Sequence, residues 1–418
     1  MIDLFKAYKN YRKYRTHKAL SNNSKYHFHT FEFIKINQVY KKVNSLKHLI
    51  ENKETFMELF KSSKFKFKKI DYFIKDKNYK KFLLHKTIGT SYEKLSSNKN
   101  KINGSIVMNV KNVIIKDNSL LTLINKNLSI MEIYGDDLWL NFRLNKWPTA
   151  HNYHLAKIKI SDENLLKRIK IYKIEKKLKK IKKKAILLSS IREDNFFHWI
   201  FDTMIKLKLL ENDPSKKKLP IILRDKLTSY QKKMLNIFGV NNKIIFTNGK
   251  SFEAKNIIIP TTPSPPVYSK SAVFWLRKKF LDNIKKFPTE NKRIYISRSD
   301  ASHRKIVNDA EVSNFLKKYD FKTLVLSDLT LEEQINNFRC ADMIILPHGS
   351  GASHLLFAKK NCKVIELQSP SQINNMFCCL SKIIGCKYGF LVGEEKKSYN
   401  FNYYIDIKKL QKLLNKAI

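Results

Sequence analysis

The sequence predicts an α/β protein with two lobes, each built on parallel strands. After residue 185, short apolar runs of strand length alternate with amphipathic stretches of helix length, which is typical of βαβ units. Residues 260–266 contain four prolines, so this segment continues neither a helix nor a central strand and indicates an interdomain linker. The predicted organisation is a basic N-terminal extension (1–101), an N-terminal lobe (102–259), a Pro-rich linker (260–270), a C-terminal lobe (271–400) and a C-terminal helix (401–418) that returns to the N-terminal lobe.

The extension and the start of the first lobe differ in pattern. Residues 1–101 are irregular and rich in Lys and Asn, and we assign them no chemistry. Apolar runs separated by Asn, Lys and Asp predict strands at 105–110, 113–115, 120–124 and 130–134. From Ile171 onward, apolar residues spaced three and four apart among lysines indicate a basic amphipathic helix. Its Lys173–Lys184 face would suit an anionic membrane surface, although lysine runs are more often simply solvated.

The remaining elements follow one rhythm. In the first lobe we predict strands at 185–190, 219–223, 243–246 and 254–259 and a helix at 229–238. In the second lobe we predict helices at 272–284, 310–318, 331–339 and 352–358 and strands at 293–297, 323–326, 343–346 and 363–367, followed by a final helix at 410–417.

Composition excludes several classes of protein. The net charge of +46 would suggest a nucleic-acid partner, but only 11 of the 82 basic residues are Arg, and the excess of Lys and Asn is what an AT-rich genome produces. No known nucleic-acid reader motif accompanies the charge. A hydrophobic content of 43% argues against disorder. The five cysteines form no C-x-x-C pair, and no signal peptide or apolar stretch of membrane-spanning length is visible, so we expect a cytoplasmic protein.

The first candidate site lies on the segment 195–206. Asn195, His198, Asp202 and Lys206 share one face of a helix that is otherwise apolar, and residues 198 and 202 are close enough in sequence to touch. This face is either a solvent-exposed stripe or a cavity-lining acid–base pair. Its position just after a strand favours the second interpretation, since ligands of open α/β sheets bind at the carboxyl ends of strands.

Two further constellations follow strands of the second lobe. Arg298 and Arg304 are scarce arginines in a lysine-rich chain, and guanidinium groups bind phosphate bidentately, whereas ammonium groups do not. Ordinary surface arginines remain the alternative. The His348-Gly349-Ser350-Gly351 turn opens a helix, where backbone amides attract anions, although any tight turn can use glycines in this way. Glu366 lies at the end of a strand, where a carboxylate suits ribose hydroxyls or a purely structural role.

Four segments together resemble the glycosyltransferase family 61 domain over about Ala185–Val392. They are N-F-F-H-W-I-F-D (195–202), R-I-Y-I-S-R-S-D-A-S-H-R-K-I-V-N-D (293–309), A-D-M-I-I-L-P-H-G-S-G-A-S-H-L-L-F-A (341–358) and V-I-E-L (364–367). The resemblance implies a GT-B architecture, in which two Rossmann-like lobes face a cleft and the C-terminal lobe holds a nucleotide-sugar donor. It also implies inversion at the sugar and chemistry without a metal.

The resemblance carries over onto individual residues. The matching positions are Asn195, His198, Trp199 and Asp202 in the first motif, Ser297, Arg298, Ala301, Arg304 and Asn308 in the second, His348, Gly349 and Gly351 in the third, and Glu366 in the last. Asp309 stands where Glu is usual and Ser350 where Ala is common. His354 stands where the family commonly has Asn. A donor contact made by that Asn would be absent here, and the sugar that the protein uses would differ accordingly.

These matches imply roles for the site residues. Asp202 would be the general base, with His198 orienting it or taking the proton itself. The arginines and the glycine amides would neutralise the diphosphate, His348 would shape the floor of the cleft, and Glu366 would hold the ribose. The full set of predicted donor-binding residues is Ser297, Arg298, Arg304, His348, Gly349, Ser350, Gly351 and Glu366.

The expected substrates are a UDP-linked sugar and a glycan or lipid-linked glycan of a surface polysaccharide. No metal and no separate cofactor are expected. The enzyme would be cytoplasmic and peripheral on the inner membrane leaflet. The alternatives are a nucleic-acid-binding protein, a non-catalytic GT-B protein and a nucleotide-sugar epimerase.

Overall fold

The structure of the protein is a computed structural model. It describes residues 26–34, 57–61, 63–65, 70–84, 86–87, 90–91, 100–102, 104–116, 121–124, 128–130, 169–175, 178–190, 192–262, 269–395 and 402–418. Most of the predicted N-terminal extension, residues 131–134 of a predicted strand and residues 263–268 of the predicted linker lie outside these ranges.

The described secondary structure is mixed α and β, as the sequence predicts. The strands are β1 (Tyr26–Ile34), β2 (Met57–Phe60), β3 (Ser63–Phe65), β4 (Lys86–Thr87), β5 (Thr90–Ser91), β6 (Asn100–Ile102), β7 (Ser105–Lys116), β8 (Leu121–Ile124), β9 (Leu128–Ile130), β10 (Ile169–Glu175), β11 (Lys179–Ile181), β12 (Ala185–Leu187), β13 (Ile221–Leu223), β14 (Ile244–Phe246), β15 (Phe252–Pro260), β16 (Arg293–Ser297), β17 (Phe321–Val325), β18 (Met343–Pro347), β19 (Lys363–Gln368) and β20 (Lys387–Val392).

The helices surround these strands. The α-helices are α1 (Lys77–Leu84), α2 (Phe196–His198), α3 (Lys208–Asn212), α4 (Ser229–Ile237), α5 (Lys270–Asn283), α6 (Asp309–Lys317), α7 (Leu331–Cys340), α8 (Met376–Ile384) and α9 (Ile407–Ala417). A π-helix (Trp199–Thr203) and a 3₁₀-helix (Met204–Leu207) join α2 to α3, and further 3₁₀-helices are Pro214–Lys218, Leu326–Asp328 and Ser350–Phe357.

The first lobe is built on an 11-stranded sheet with the order β10-β1-β9-β8-β7-β15-β12-β13-β14, in which β11 pairs with β15 and β2 with β7. The strands β15, β12, β13 and β14 are parallel neighbours, and β7 runs antiparallel to β15. Every residue of β12 and β13 is buried. Continuous apolar runs are what a strand needs when both faces of its sheet are covered.

The second lobe is built on a five-stranded, fully parallel sheet with the order β17-β16-β18-β19-β20. In chain order this is 2-1-3-4-5, a doubly wound topology whose direction reverses between β16 and β18. A crevice therefore opens beyond the carboxyl ends of these two strands. The elements predicted between residues 270 and 368 are all present, and their ends differ from the predictions by at most two residues. The helix α8 and the strand β20 were not predicted.

One hydrophobic core extends from the first sheet to the second. It contains Ile186 and Ile258 from the first sheet and Ile344 and Val364 from the second. Helix α5 lies between them, and its Phe280 packs against residues of both sides: the ring of Phe238 lies 5.0 Å away and that of Phe357 5.3 Å away. The two lobes are thus joined by a shared layer of helices.

Residues 70–84, part of the predicted extension, pack on the second sheet. The backbone N–H of Asp71 donates to the carbonyl of Tyr388 at 2.8 Å, and Phe82 of α1 stacks on Phe390 at 3.9 Å. Gly389 allows this contact, because a Cβ there would lie 2.5 Å from the Tyr72 carbonyl oxygen. This segment covers the edge strand β20, which would otherwise present unpaired backbone groups.

The prediction of a basic amphipathic helix after Ile171 is wrong. Residues 169–175 form β10, antiparallel to β1, and residues 179–181 form β11, parallel to β15. Three β-branched isoleucines in seven residues favour a strand once neighbouring strands offer hydrogen bonds. A membrane contact through Lys173–Lys184 would therefore not use a helix.

The last helix also differs in position from the expectation. Helix α9 packs through Leu410, Leu413 and Leu414 on the second sheet, in a cluster with Ile345 and Leu367, and not on the first lobe. Its apolar stripe covers the face of the second sheet that the shared core leaves open. Of the helices that the structure describes, none has both the length and the apolar content that crossing a membrane requires.

Candidate functional site

A cleft of about 800 Å³ opens at the carboxyl ends of β16 and β18, where the strand order reverses. Both lobes line it. The first lobe contributes Phe196, Ser229, Tyr230 and Lys233, and the second contributes Ile296–Arg298, Asp300–Ser302, Leu326, Ser327, Leu329–Leu331, Gln334, Leu346, Pro347, Ser350–Ala352 and His354. Lys233 of α4 forms an ion pair across the lobes with Glu332 of α7. Of the predicted site residues, Ser297, Arg298, Ser350 and Gly351 line this cleft. The lining does not include His198, Asp202, Arg304, His348, Gly349 or Glu366, and from the first motif only Phe196 reaches it.

The His198–Asp202 pair lies on the helical segment that enters this region from the first lobe. The side chain of Asn195 caps the segment by accepting from the N–H groups of Phe197 and His198. The π-helix that follows widens one turn, a feature frequent at functional sites. His198 Nδ1 lies 2.7 Å from Asp202 Oδ2, and the two side chains are 22% and 9% exposed. The predicted contact is present, and burial of this degree argues against a solvent-exposed stripe.

A buried polar network holds this segment against β12. Lys206 Nζ donates to the carbonyls of Leu188 (3.2 Å) and Ser189 (2.8 Å), and Thr203 Oγ1 donates to Ser190 Oγ at 2.8 Å. A buried ammonium group is tolerated only where such acceptors surround it. Lys206 therefore anchors the helix and is not part of an exposed polar stripe.

Glu193 is a site-supporting residue that the sequence reasoning missed. Its carboxylate accepts from the Ser189 hydroxyl at 2.7 Å and from the backbone N–H groups of Arg224 (2.7 Å) and Asp225 (2.9 Å). Burial raises the pKa of Glu193, and these hydrogen bonds counteract the shift. The side chain ties the loops after β12 and β13 together. A lone Glu in a loop gives no sequence signal for such a role.

Arg298 and Arg304 form a pair of neighbouring cations. Arg298 Nη2 donates weakly to the His303 carbonyl at 3.4 Å, and its Nε is buried without a partner. Arg304 donates to Gln372 and adopts a left-handed backbone conformation, with φ at 57°. Burial lowers the pKa of Arg304, and the charge of Arg298 lowers it further. Within the described residues neither guanidinium has a carboxylate partner, so the pair has the chemistry to bind an anion.

Hydrogen bonds to Asp309 and Ser297 fix the turn that carries Arg298. Ser297 Oγ donates to Asp309 Oδ2 at 2.6 Å and accepts from the N–H of Ser299 at 3.1 Å, and Tyr295 donates to the other Asp309 oxygen at 2.5 Å. The hydroxyl of Ser297 is therefore occupied within the protein. Ser297 lines the cleft, and its hydroxyl also positions the Arg298 turn; its contact with the donor stays a prediction. Asp309, where the family usually has Glu, serves as the acceptor.

The glycine turn touches the arginine pair. Gly349 is extended, with φ at 163°, so its backbone needs no glycine. Its lack of a side chain matters for a different reason: a Cβ there would lie 1.7 Å from Arg298 Nη1. At Gly351 a Cβ would meet only the terminal Leu326 Cδ1, at 2.9 Å. Gly349 thus provides room for the guanidinium at the start of the Ser350–Phe357 helix, where backbone amides also attract anions.

Glu366 does not occupy the predicted position. Its side chain is fully buried within β19; one carboxylate oxygen contacts His348 Nδ1 at 2.6 Å, and the other accepts from the Tyr388 hydroxyl. Both oxygens are engaged and neither reaches the surface, so Glu366 cannot hold a ribose in this structure. Sequence reasoning could not foresee these partners, because Tyr388 lies on β20, a strand that it did not identify.

Comparison with known families decides what this domain is. Residues 196–365 match the family model Glycosyltransferase 61. This match supports an assignment to glycosyltransferase family 61. The matched segment begins at the His198 helix and runs through the Arg298 turn and the glycine turn into β19. No curated protein matches the chain. The match supports a glycosyltransferase, a class of enzyme that in general uses a sugar donor and an acceptor.

His354 of the glycosyltransferase 61 domain stands where the resemblance suggests Asn. Its Nδ1 donates to the Gly351 carbonyl at 2.9 Å, its Nε2 contacts the side-chain amide of Gln334 at 2.8 Å, and its ring stacks on Phe196 at 4.5 Å. Burial lowers the pKa of His354 to about 4. The ring of His354 joins the wall of the cleft to the first lobe through Phe196. No group of three or more His, Cys, Asp or Glu side chains that could hold a metal ion occurs among the described residues.

We expect this histidine to make stability depend on pH. An unfolded histidine has a pKa of about 6.5, so between roughly pH 6.5 and 4 the unfolded chain binds more protons than the folded one. The free energy of unfolding should fall by about 3 kcal/mol from this group as pH decreases from 7 to 4. Urea unfolding across this range should show a shallower pH dependence for His354→Gln than for the wild type. His303→Gln, at an exposed position, is the matched control. A constant difference between His354→Gln and the wild type at every pH would contradict the prediction.

Proposed function

We propose that the protein is an inverting glycosyltransferase that moves a sugar from a nucleotide-sugar donor to a hydroxyl of a glycan or lipid-linked acceptor. One observation carries the proposal. Among the described residues, a cation pair without a carboxylate partner lies at a glycine turn of the second lobe, and a histidine–carboxylate pair follows Phe196, which lines the same cleft from the first lobe. A leaving diphosphate needs the first cluster, and an attacking hydroxyl needs the second.

The donor would lie along the switch point of the second sheet. Arg298 and Arg304 would bind the diphosphate together with the backbone amides of Ser350 and Gly351. The remaining part of the 800 Å³ cleft, toward the end of β17, mixes apolar side chains such as Leu326 and Leu329 with the hydroxyl of Ser327. Such a surface suits the flat, hydrogen-bonding base of a nucleoside. A UDP-linked sugar is the donor that we propose first.

The reaction would be a direct displacement. The acceptor oxygen forms a bond to the anomeric carbon while the bond from that carbon to the diphosphate oxygen breaks on the opposite face. The acceptor proton passes to Asp202, which His198 orients, or to His198 itself with Asp202 holding its Nδ1–H. The arginine pair would neutralise the charge on the departing nucleoside diphosphate, a role that other enzymes give to a metal ion.

The architecture and location are part of the same proposal. The doubly wound second sheet and the parallel half of the first sheet support a GT-B arrangement with the first lobe on the acceptor side. We further propose that the protein acts in the cytoplasm, in the synthesis of a surface polysaccharide. The net charge of +46 supports transient contact with an anionic inner leaflet, on which a lipid-linked acceptor would reside.

A calorimetric titration with UDP, GDP and CMP and with their sugar conjugates tests this function. We expect one nucleotide to bind with a Kd of about 1–100 μM, and its sugar conjugate to be consumed faster when a glycan acceptor is added. A protein that binds only DNA, independently of sequence and with a steep dependence on salt, would contradict the proposal in favour of a nucleic-acid-binding protein. Release of an altered free sugar without any acceptor would indicate an epimerase, and binding without turnover a non-catalytic protein.

A further inference from the structure

A second histidine–carboxylate pair lies one residue before the glycine turn. The Nδ1 atom of the His348 ring contacts Glu366, and Glu366 in turn accepts a hydrogen bond from the Tyr388 hydroxyl. His348 directly follows β18, and the other two residues lie on β19 and β20, so three neighbouring strands position one buried chain of hydrogen bonds. Burial and the Glu366 carboxylate hold the pKa of Tyr388 well above its usual value, which keeps the phenol protonated as a donor. The carboxylate is thus compensated from both sides and fixes the histidine ring.

The free edge of the His348 ring faces outward. The side chain keeps 6% of its surface exposed, whereas Glu366 keeps none. No described residue hydrogen-bonds to Nε2, yet this atom is not among the polar atoms that are buried without a partner. Nε2 therefore reaches solvent, and its ring orientation is set by the other nitrogen. A buried pair with one open nitrogen is an arrangement suited to a ligand contact.

His348 is also connected to both clusters of the proposed site through neighbouring residues. The next residue, Gly349, contacts the Arg298 guanidinium. On the other side the His348 ring lies 5.3 Å from Phe377, which lies 5.8 Å from Phe197, the neighbour of His198. The ring thus lies next to the residue that contacts Arg298 and is connected to the segment of His198 through two buried aromatic rings.

We propose that His348 is a second catalytic residue, whose Nε2–H donates a hydrogen bond to the β-phosphate of the departing nucleoside diphosphate. Glu366 and Tyr388 are its positioning residues. The inference rests on the proposed function, because it assumes a diphosphate in this cleft. The Glu366 carboxylate contacts Nδ1, so Nε2 is the ring nitrogen that remains for the phosphate. The hydrogen bond strengthens as charge collects on the leaving group, which is the condition for accelerating the displacement.

The test compares nucleotides that differ by the β-phosphate. UDP and UMP, and GDP and GMP, are titrated into the wild type and into His348→Gln. We expect His348→Gln to bind the diphosphate about tenfold more weakly and the monophosphate unchanged within about twofold. Tyr388→Phe should show a smaller loss that is again confined to the diphosphate. A merely structural role would weaken both nucleotides equally.

A double variant controls for the charge that His348→Gln leaves at Glu366. Since His348→Gln leaves the buried Glu366 without its partner, the double variant His348→Gln/Glu366→Gln removes the charge and should show the same loss for the diphosphate. Equal losses for UDP and UMP, or no loss for either, overturn the role of His348 while leaving the proposed function intact. Failure of the wild type to bind any of the four nucleotides overturns both.

Discussion

Asp202→Asn should lower the rate of sugar transfer by about 10²- to 10⁴-fold and leave nucleotide affinity within about threefold of the wild type. The substitution keeps the size of the side chain but removes the proton acceptor that lies 2.7 Å from His198 Nδ1. Because the proposed donor contacts all lie in the second lobe, nucleotide binding should not depend on this carboxylate. Initial rates with a saturating donor, together with calorimetry on the nucleoside diphosphate, measure the two quantities separately.

Matched variants assign the roles within the pair. Asp194→Asn changes an exposed carboxylate of the same lobe, and we expect it to be fully active. His198→Gln should lose about 10-fold to 100-fold in rate if the histidine orients Asp202, and as much as Asp202→Asn if it takes the proton. An active Asp202→Asn with an inactive His198→Gln would move the base to His198. Two active variants would remove the pair from the mechanism.

The features that the sequence predicted well are local in the chain. The helices α4 and α7 begin at the capping boxes of Thr228 with Gln231 and of Thr330 with Glu333, so their starts can be read from four residues. The contact between His198 and Asp202 is equally local, because a helix places residues four apart on one face. The elements between residues 270 and 368 were predicted accurately for the same reason: these strands and helices alternate with strong periodicity.

The features that were missed depend on distant partners. Ile169–Glu175 is a strand because β1, far earlier in the chain, pairs with it, and spacing within the segment does not contain this information. The role of Glu366 is decided by Tyr388 and His348, which burial and strand order bring to it from both sides. Residue 349 has to be a glycine because a side chain there would collide with Arg298, which follows a different strand. In each case the tertiary neighbour determines the chemistry of the residue.

Gly349→Ala should weaken binding of the nucleoside diphosphate by about 10-fold to 100-fold, although the change adds a single methyl group. That methyl group would lie 1.7 Å from Arg298 Nη1, so the guanidinium has to leave its position beside the glycine turn. The backbone conformation at residue 349 suits alanine, and the fold should therefore be retained. Isothermal titration with UDP and GDP measures the loss, and circular dichroism checks the fold.

A double-mutant cycle distinguishes two roles of Gly349: leaving space for the Arg298 guanidinium, and contacting the ligand directly. If Gly349 acts only by admitting the guanidinium, Gly349→Ala/Arg298→Ala should bind the nucleotide no more weakly than Arg298→Ala alone. Gly351→Ala is the matched control, because its methyl group meets only the flexible end of Leu326, and we expect less than about a threefold change. Additive losses in the cycle would show that the Gly349 backbone contacts the ligand independently. Unchanged affinity in Gly349→Ala would show that the arginine does not bind the diphosphate from the position it occupies here.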